Sequence, residues 1–265
     1  MSEDGSPLFE YVRSLGTWFI VAFVTLLVSP VEYLTAIALL PFDRDRKAVH
    51  HVVRFWTKAI LFLAPLMQVT VEGAHHLKRS PTYVFIANHQ SHADVLAVLH
   101  LSYPFKFIAK KELFWIPIFG WTLFVAGYIP LARGDQRSSK EAARKAREYL
   151  ERGASVLFFP EGTRSRDGEI HDFKVGAFKL AAELEIPVAP IVINGTGNLL
   201  PKGKRTFGST VKVTVKIGKP HQAAGTSPLE IESFCERIRS EMIQSLRHMR
   251  GDEGKSQNRP SLVKS

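Results

Sequence analysis

Apolar positions recur along this chain at three different spacings. Between residues 14 and 42 they are nearly continuous (SLGTWFIVAFVTLLVSP, then VEYLTAIALLPF), with Glu32 the one charged residue and with Pro30 and Glu32 interrupting the run. Residues 14–31 approach the roughly 20 that a helix needs to cross a bilayer. The remainder up to Phe42 reads as a second, shorter apolar element. A further apolar run at 59–71 is too short to cross and contains Pro65, so it either dips into one leaflet or covers the core. Beyond it, short runs rich in β-branched and aromatic residues fall at 69–72, 82–87, 105–109, 155–159 and 188–194. Each is bounded by polar or Gly/Pro punctuation, which predicts buried strands. Residues 211–217 (VKVTVKI) alternate strictly and predict a strand with one basic, solvated face.

Helical spacing separates these strands. Residues 138–152 (SSKEAARKAREYLER) predict a helix with serine caps, Glu141 in the first turn and Gly153 at the end. A second helix is expected over 173–185, stopped before Pro187. Ser227-Pro228 opens a last one over 229–250 by N-cap and N1 chemistry. Strands alternating with helices predict an α/β fold, a mixed β-sheet flanked by helices. The chain contains no internal repeat. It divides into an N-terminal membrane-embedded helical segment (1–68), an α/β body (69–250) and a tail (251–265) without apolar periodicity.

At 265 residues with 45% hydrophobic content, the chain is ample to bury a core and too apolar to be disordered. Its single cysteine, Cys235, excludes a disulfide scaffold and any multi-cysteine zinc site, and fits a reducing compartment. On the last helix it reads as a core or surface thiol. The net charge of +10 points to polyanionic partners, either nucleic acid or anionic lipid headgroups. Residues 1–40 carry a net −3, so the rest of the chain carries +13.

A secretory signal peptide does not fit, because the leading residues are acidic and no small-x-small site follows. Arg13 alone precedes the apolar segment, whereas Arg44, Arg46, Lys47, Arg54 and Lys58 follow it. That asymmetry places the body on the cytoplasmic side. Trp18, Tyr33 and Trp56 stand where interface anchors would, and Lys202-Gly203-Lys204-Arg205 reads as a solvated basic loop.

Three loops after predicted strands carry the candidate chemistry. The first is Asn88-His89-Gln90-Ser91-His92-Ala93-Asp94. A turn into a helix start can bring His89 and Asp94 together, and a carboxylate on one imidazole nitrogen leaves the other as a base. Asp94 as a simple helix cap is the plainer alternative. The second, Phe159-Pro160-Glu161-Gly162-Thr163-Arg164-Ser165, offers a sharp turn at Gly162, a hydroxyl at Thr163 and a planar fork for phosphate oxygens at Arg164. The third, Ala109-Lys110-Lys111-Glu112-Leu113, leads into Pro117 and Gly120 and on to Gly127 and Arg133. There Lys110 could meet a phosphate as a point charge. Gly195-Thr196-Gly197 lacks the third glycine and the helix of a dinucleotide loop.

Taken in order, these residues resemble the lysophosphatidic acid acyltransferases (1-acyl-glycerol-3-phosphate acyltransferases). The Asn88-His89 start with Asp94 resembles that family's first motif. The Ala109–Leu113 stretch with Pro117, Gly120, Gly127 and Arg133 resembles the second, Phe159–Ser165 (FPEGTRS) the third, and VAPI at 188–191 the fourth. Phe173-Lys174-Val175-Gly176-Ala177-Phe178 is similar to the segment after the third. The resemblance covers roughly residues 70–200. His92-Ala93 departs from it, where relatives commonly carry a bulky pair, and this bears on acceptor or chain preference.

The resemblance implies a glycerolipid acyltransferase-like fold and a transfer from an acyl thioester to the sn-2 hydroxyl of lysophosphatidate, giving phosphatidic acid. It implies His89 as general base with Asp94 orienting it. Arg164 and Lys110 would hold the glycerol phosphate, with Glu161, Gly162 and Thr163 shaping the loop. No metal and no cofactor are implied; the co-substrate is a thioester of CoA or acyl carrier protein, and membrane lipid is the partner. Three alternatives stand beside this. One is the same chemistry on another lysolipid or on glycerol phosphate. An esterase is a second, disfavoured by the absence of G-x-S-x-G. The third, a basic nucleic-acid module, leaves residues 14–42 unexplained.

Overall fold

The computed structural model describes residues 7–78, 81–200, 206–223 and 225–251. Its first element, α1, is one uninterrupted helix over Pro7–Ala38. The break expected at Pro30 does not occur. Proline lacks the N–H that would bond the carbonyl of residue 26, but the Ser29 hydroxyl donates to that same Leu26 carbonyl at 3.3 Å. The acceptor keeps a partner and the helix runs through.

A second helix, α2 (Lys47–Leu63), was not expected from its charge-rich start. It packs on α1 through Val24, Val28 and Ile60, and Trp56 Nε1 donates to Thr25 Oγ1 at 2.9 Å. Tyr33 donates to the Ile118 carbonyl, and the Trp18 ring lies 5.1 Å from that of Phe207. The three aromatics read as interface anchors therefore tie α1 to its neighbours. The opposite side of α1 is bare, with Leu8, Phe19, Leu27, Leu34 and Ile37 all more than half exposed. The helix is long and apolar enough to cross a membrane, and only 28% of its most apolar stretch is buried. A bare apolar face of this size marks membrane association.

The body is a seven-stranded sheet of β1 (Met67–Glu72), β2 (Val84–Ala87), β3 (Phe105–Lys110), β4 (Ile129–Leu131), β5 (Ser155–Phe158), β6 (Val188–Asn194) and β7 (Val211–Ile217), ordered β1-β7-β6-β2-β5-β3-β4. Only β6 and β7 pair antiparallel, so the expected mixed sheet forms. β2 lies at its centre with all four residues buried, as a continuous apolar run covered on both faces demands. Residues 59–71 divide between the end of α2 and β1, with Pro65 in the connection.

The remaining helices are α3 (Asp94–Val98), α4 (Phe119–Val125), α5 (Gln136–Glu151), α6 (Gly176–Glu183) and α7 (Pro228–Met249). One sheet face packs Phe85, Phe107 and Ile191 against Val53 of α2 and Val98 of α3. The other packs Ile86, Val156 and Val192 against Ala146 of α5, Phe178 of α6 and Ile238 of α7. The helix start expected near Asp94 appears as α3, with Ala93 and not Asp94 at its N-cap; α4 and β4 were not expected, being too short to show a period. α5 begins earlier than expected because Asp135, and not a serine, caps it, accepting from the N–H of Arg137 at 2.8 Å and of Ser138 at 3.2 Å. Glu141 consequently lies beyond the first turn. Ser227 and Glu230 form a reciprocal cap at the start of α7. The basic loop 202–205 and all of the tail after Gly251 lie outside the described residues.

Candidate active site

Parallel strands leave a crevice beyond their carboxyl ends, where loops diverge. Four adjacent strands of this sheet, β6, β2, β5 and β3, each deliver a polar residue there: Thr196, His89, Glu161 and Lys110.

After β2 the chain is clamped to β6. Asn88 Nδ2 donates to the Ile193 carbonyl at 2.9 Å, and the Ile193 N–H donates back to Asn88 Oδ1 at 2.7 Å. His89 follows directly, and Asp94 opens α3 with no exposed surface. Asp94 Oδ2 lies 2.8 Å from His89 Nδ1 and also accepts the N–H of Gln90 at 2.7 Å and of Ser91 at 2.9 Å. Its other oxygen, Oδ1, accepts from the Thr196 hydroxyl. A buried carboxylate needs such a set of donors, because desolvation without partners would be costly.

The imidazole is fixed from several sides. Its ring stacks on Phe159, with centroids 4.3 Å apart. The His89 N–H donates to Glu161 Oε1 at 2.9 Å, and the His89 carbonyl accepts from the Ser165 N–H at 2.8 Å. With Nδ1 committed to Asp94, Nε2 is the ring nitrogen left for chemistry.

Glu161 spends its carboxylate on backbone: Oε2 accepts from the His171 N–H at 3.4 Å. Burial pushes its pKa up to about 6, against the lowering effect of those hydrogen bonds. Gly162 adopts φ 70°, and a Cβ there would come within 3.0 Å of Lys174 Nζ. The turn therefore requires glycine.

Cations gather at the same mouth. Burial and then the neighbouring Arg133 hold the Arg164 guanidinium below its ordinary pKa. The His92 imidazole is lowered to about 4, first by burial and then by Arg164, His89 and Arg133. Lys110 stands two strands from β2 and pairs with Glu112 at 3.3 Å, without direct contact to the His89–Asp94 pair. No group of three His, Cys, Asp or Glu side chains able to hold a metal ion occurs among the described residues. A histidine braced by a buried carboxylate beside an arginine-lined mouth can deprotonate a hydroxyl on a phosphate-bearing acceptor.

The acyltransferase family model matches residues 68–194, the stretch that contains all of these loops except Thr196. A chloroplastic 1-acyl-sn-glycerol-3-phosphate acyltransferase of Arabidopsis thaliana is 38% identical over 210 residues, 78% of this chain and 57% of that protein. The alpha form of the same enzyme from Homo sapiens is 34% identical over 191 residues, 70% of this chain and 66% of that one. The crystal structure of the 1-acyl-sn-glycerophosphate acyltransferase PlsC from Thermotoga maritima superposes with a TM-score of 0.76 at 29% identity. It covers 91% of this chain and 97% of that one. The chain belongs to the 1-acyl-sn-glycerol-3-phosphate acyltransferase family. It spans just under three fifths of the length of two plant relatives that it matches.

Within this family framework, the sequence had marked His89, Asp94, Glu161, Gly162, Thr163, Arg164 and Lys110. It had not marked Thr196 as part of the site, nor the clamping role of Asn88. The one local signal for Thr196 was its place just past the end of β6, next to the strand that carries His89. Gly195 there has φ 102°, and a Cβ would strike the Lys212 carbonyl oxygen. The glycine thus serves a tight turn against β7. Cys235 is buried, and burial pushes its thiol up to about 11.

Proposed function

We propose that the chain transfers an acyl group from an acyl thioester to the sn-2 hydroxyl of 1-acyl-glycerol 3-phosphate, giving phosphatidic acid. The observation that carries this reading is the buried His89–Asp94 pair at 2.8 Å, set beside Arg164 and Arg133. The names of the relatives support the acceptor.

In the proposed reaction, His89 Nε2 takes the hydroxyl proton as the oxygen attacks the thioester carbonyl. The C–O bond forms, the C–S bond breaks as the tetrahedral adduct collapses, and the imidazolium returns the proton to the departing thiolate. Asp94 holds the tautomer and stabilises the imidazolium. A thioester is already activated, so neither a covalent enzyme intermediate nor a metal or cofactor is assigned a role. The donor is a thioester of CoA or of acyl carrier protein.

Arg164 and Lys110 hold the phosphate, with Glu161, Gly162 and Thr163 shaping the loop that carries Arg164. The segment 1–68 seats the catalytic domain, 69–250, at a lipid surface on its cytoplasmic face. Arg44, Arg46 and Lys47 after α1 and the positive body support that orientation.

Detergent-purified protein is assayed with lysophosphatidate and acyl-CoA, beside lysophosphatidylcholine. Phosphatidate forms, vanishes in His89→Ala, and needs a higher lysophosphatidate concentration in Arg164→Ala. Turnover on lysophosphatidylcholine alone would overturn the acceptor. Undiminished activity in His89→Ala would overturn the mechanism.

A further inference from the structure

The two oxygens of Asp94 are served unequally. Oδ2 takes three donors, from His89, Gln90 and Ser91, whereas Oδ1 has one partner among the described residues, the Thr196 hydroxyl. We infer that Thr196 is a positioning residue of the acyl transfer: its hydroxyl fixes the rotation of the Asp94 carboxylate and so keeps Oδ2 aimed at His89 Nδ1. This rests on the reading of His89 and Asp94 as the proton-handling pair.

The bond has a defined direction. A carboxylate can only accept, so the Thr196 proton points at Asp94. Thr196 and Asp94 have no exposed surface, and no bulk water competes for either group. α3 holds Asp94 in a helix of only five residues, too short to fix a terminal side chain by itself. The position of Thr196 is in contrast set by the backbone. Asn88 locks Ile193 of β6 to the residue just before His89, and the Gly195 turn is pressed on β7. Histidine loop and threonine loop are thereby registered to one another three residues from where the hydroxyl acts. Without the hydroxyl, Oδ1 becomes a buried acceptor with no donor among the described residues, and the carboxylate turns toward whatever donor it can share. His89 then loses the aligned partner that defines its tautomer.

Thr196→Val keeps the side-chain shape and removes the donor, and Thr196→Ser keeps the donor and removes a methyl. Both are compared with the wild type for kcat, for KM of lysophosphatidate and of acyl-CoA, and for thermal unfolding. The expected result is a kcat about 10–100-fold lower in Thr196→Val with both KM values within about twofold, and recovery to within about threefold in Thr196→Ser. In an Asp94→Asn background, Thr196→Val should lower kcat by less than about twofold further, because both changes act through one carboxylate. Should the valine variant not fold, Thr196→Ala takes its place in the same comparison.

A wild-type kcat in the folded valine variant, a serine variant as slow as the valine one, or additive losses with Asp94→Asn would each overturn the assignment. His89→Ala is measured alongside. If it stays active, the proton-handling reading itself falls; if it is inactive while Thr196→Val is unaffected, only the role of Thr196 falls.

Discussion

Asp94→Asn is the perturbation whose consequence the structure defines most narrowly. Asparagine has the same shape, but one of its two terminal atoms donates. Oδ2 faces three donors, from His89, Gln90 and Ser91, so the amide oxygen must take that position. The amide nitrogen then faces the Thr196 hydroxyl, which can turn and accept. Every polar atom keeps a partner, and the fold should survive with a small loss of stability. His89 Nδ1 even keeps an acceptor. What disappears is the negative charge beside the imidazolium that forms when the hydroxyl is deprotonated. Two unit charges about 4 Å apart interact by about 4 kcal/mol at the effective dielectric of about 20 typical of protein sites. Lost from the transition state alone, that is about a thousandfold in kcat. The assay is the initial rate of phosphatidate formation by detergent-purified protein at saturating lysophosphatidate and acyl-CoA, with thermal unfolding to certify the fold. A folded variant retaining more than about a tenth of the wild-type kcat, or a loss confined to KM, would refute the charge argument.

Three further outcomes are expected. Glu161 has its pKa raised from the ordinary 4.5 to about 6 by burial, so the native state binds this proton more tightly than the unfolded chain. The resulting stability is present below pH 4.5 and is lost as pH rises through about 6; denaturant unfolding should show a fall of at most about 2 kcal/mol from this group, flattened in Glu161→Gln. Ile238 is fully buried on α7 against the sheet, and Ile238→Ala should cost about 2–5 kcal/mol in the same measurement while KM is unchanged. Gly162→Ala forces a side chain into φ 70° beside Lys174. It should cost about 1–2 kcal/mol and raise the lysophosphatidate KM; a variant as stable and as active as the wild type would mean that the loop relaxes freely.

The strands and long helices were legible because their patterns are local. Val188–Asn194 and Val211–Ile217 appear with the expected bounds, since continuous burial and strict alternation each leave a period in the sequence. α7 likewise announced itself through Ser227 and Pro228. Pro30 shows the limit of that reading. A proline is a local breaker, and only the three-dimensional helix shows that the Ser29 hydroxyl reaches the carbonyl that proline leaves unpaired.

The site divides in the same way. His89, Asp94 and the turn at Gly162 stand in short loops directly after strands, so spacing brought them forward as candidates, and the order of the motifs, by its resemblance to a known family, implied their roles. Their arrangement is a tertiary fact. β2 is flanked by β6 and β5, which come much later in the chain, and this order sets Thr196 on Asp94 and Glu161 beneath His89. Hydrogen bonds across 102 and 72 residues leave no period and no spacing in a sequence. Alternation and turn chemistry are written residue by residue, and so the sequence by itself determined which strands and which loops exist. The strand order decided which loops meet, because it follows from how all the apolar faces are buried at once.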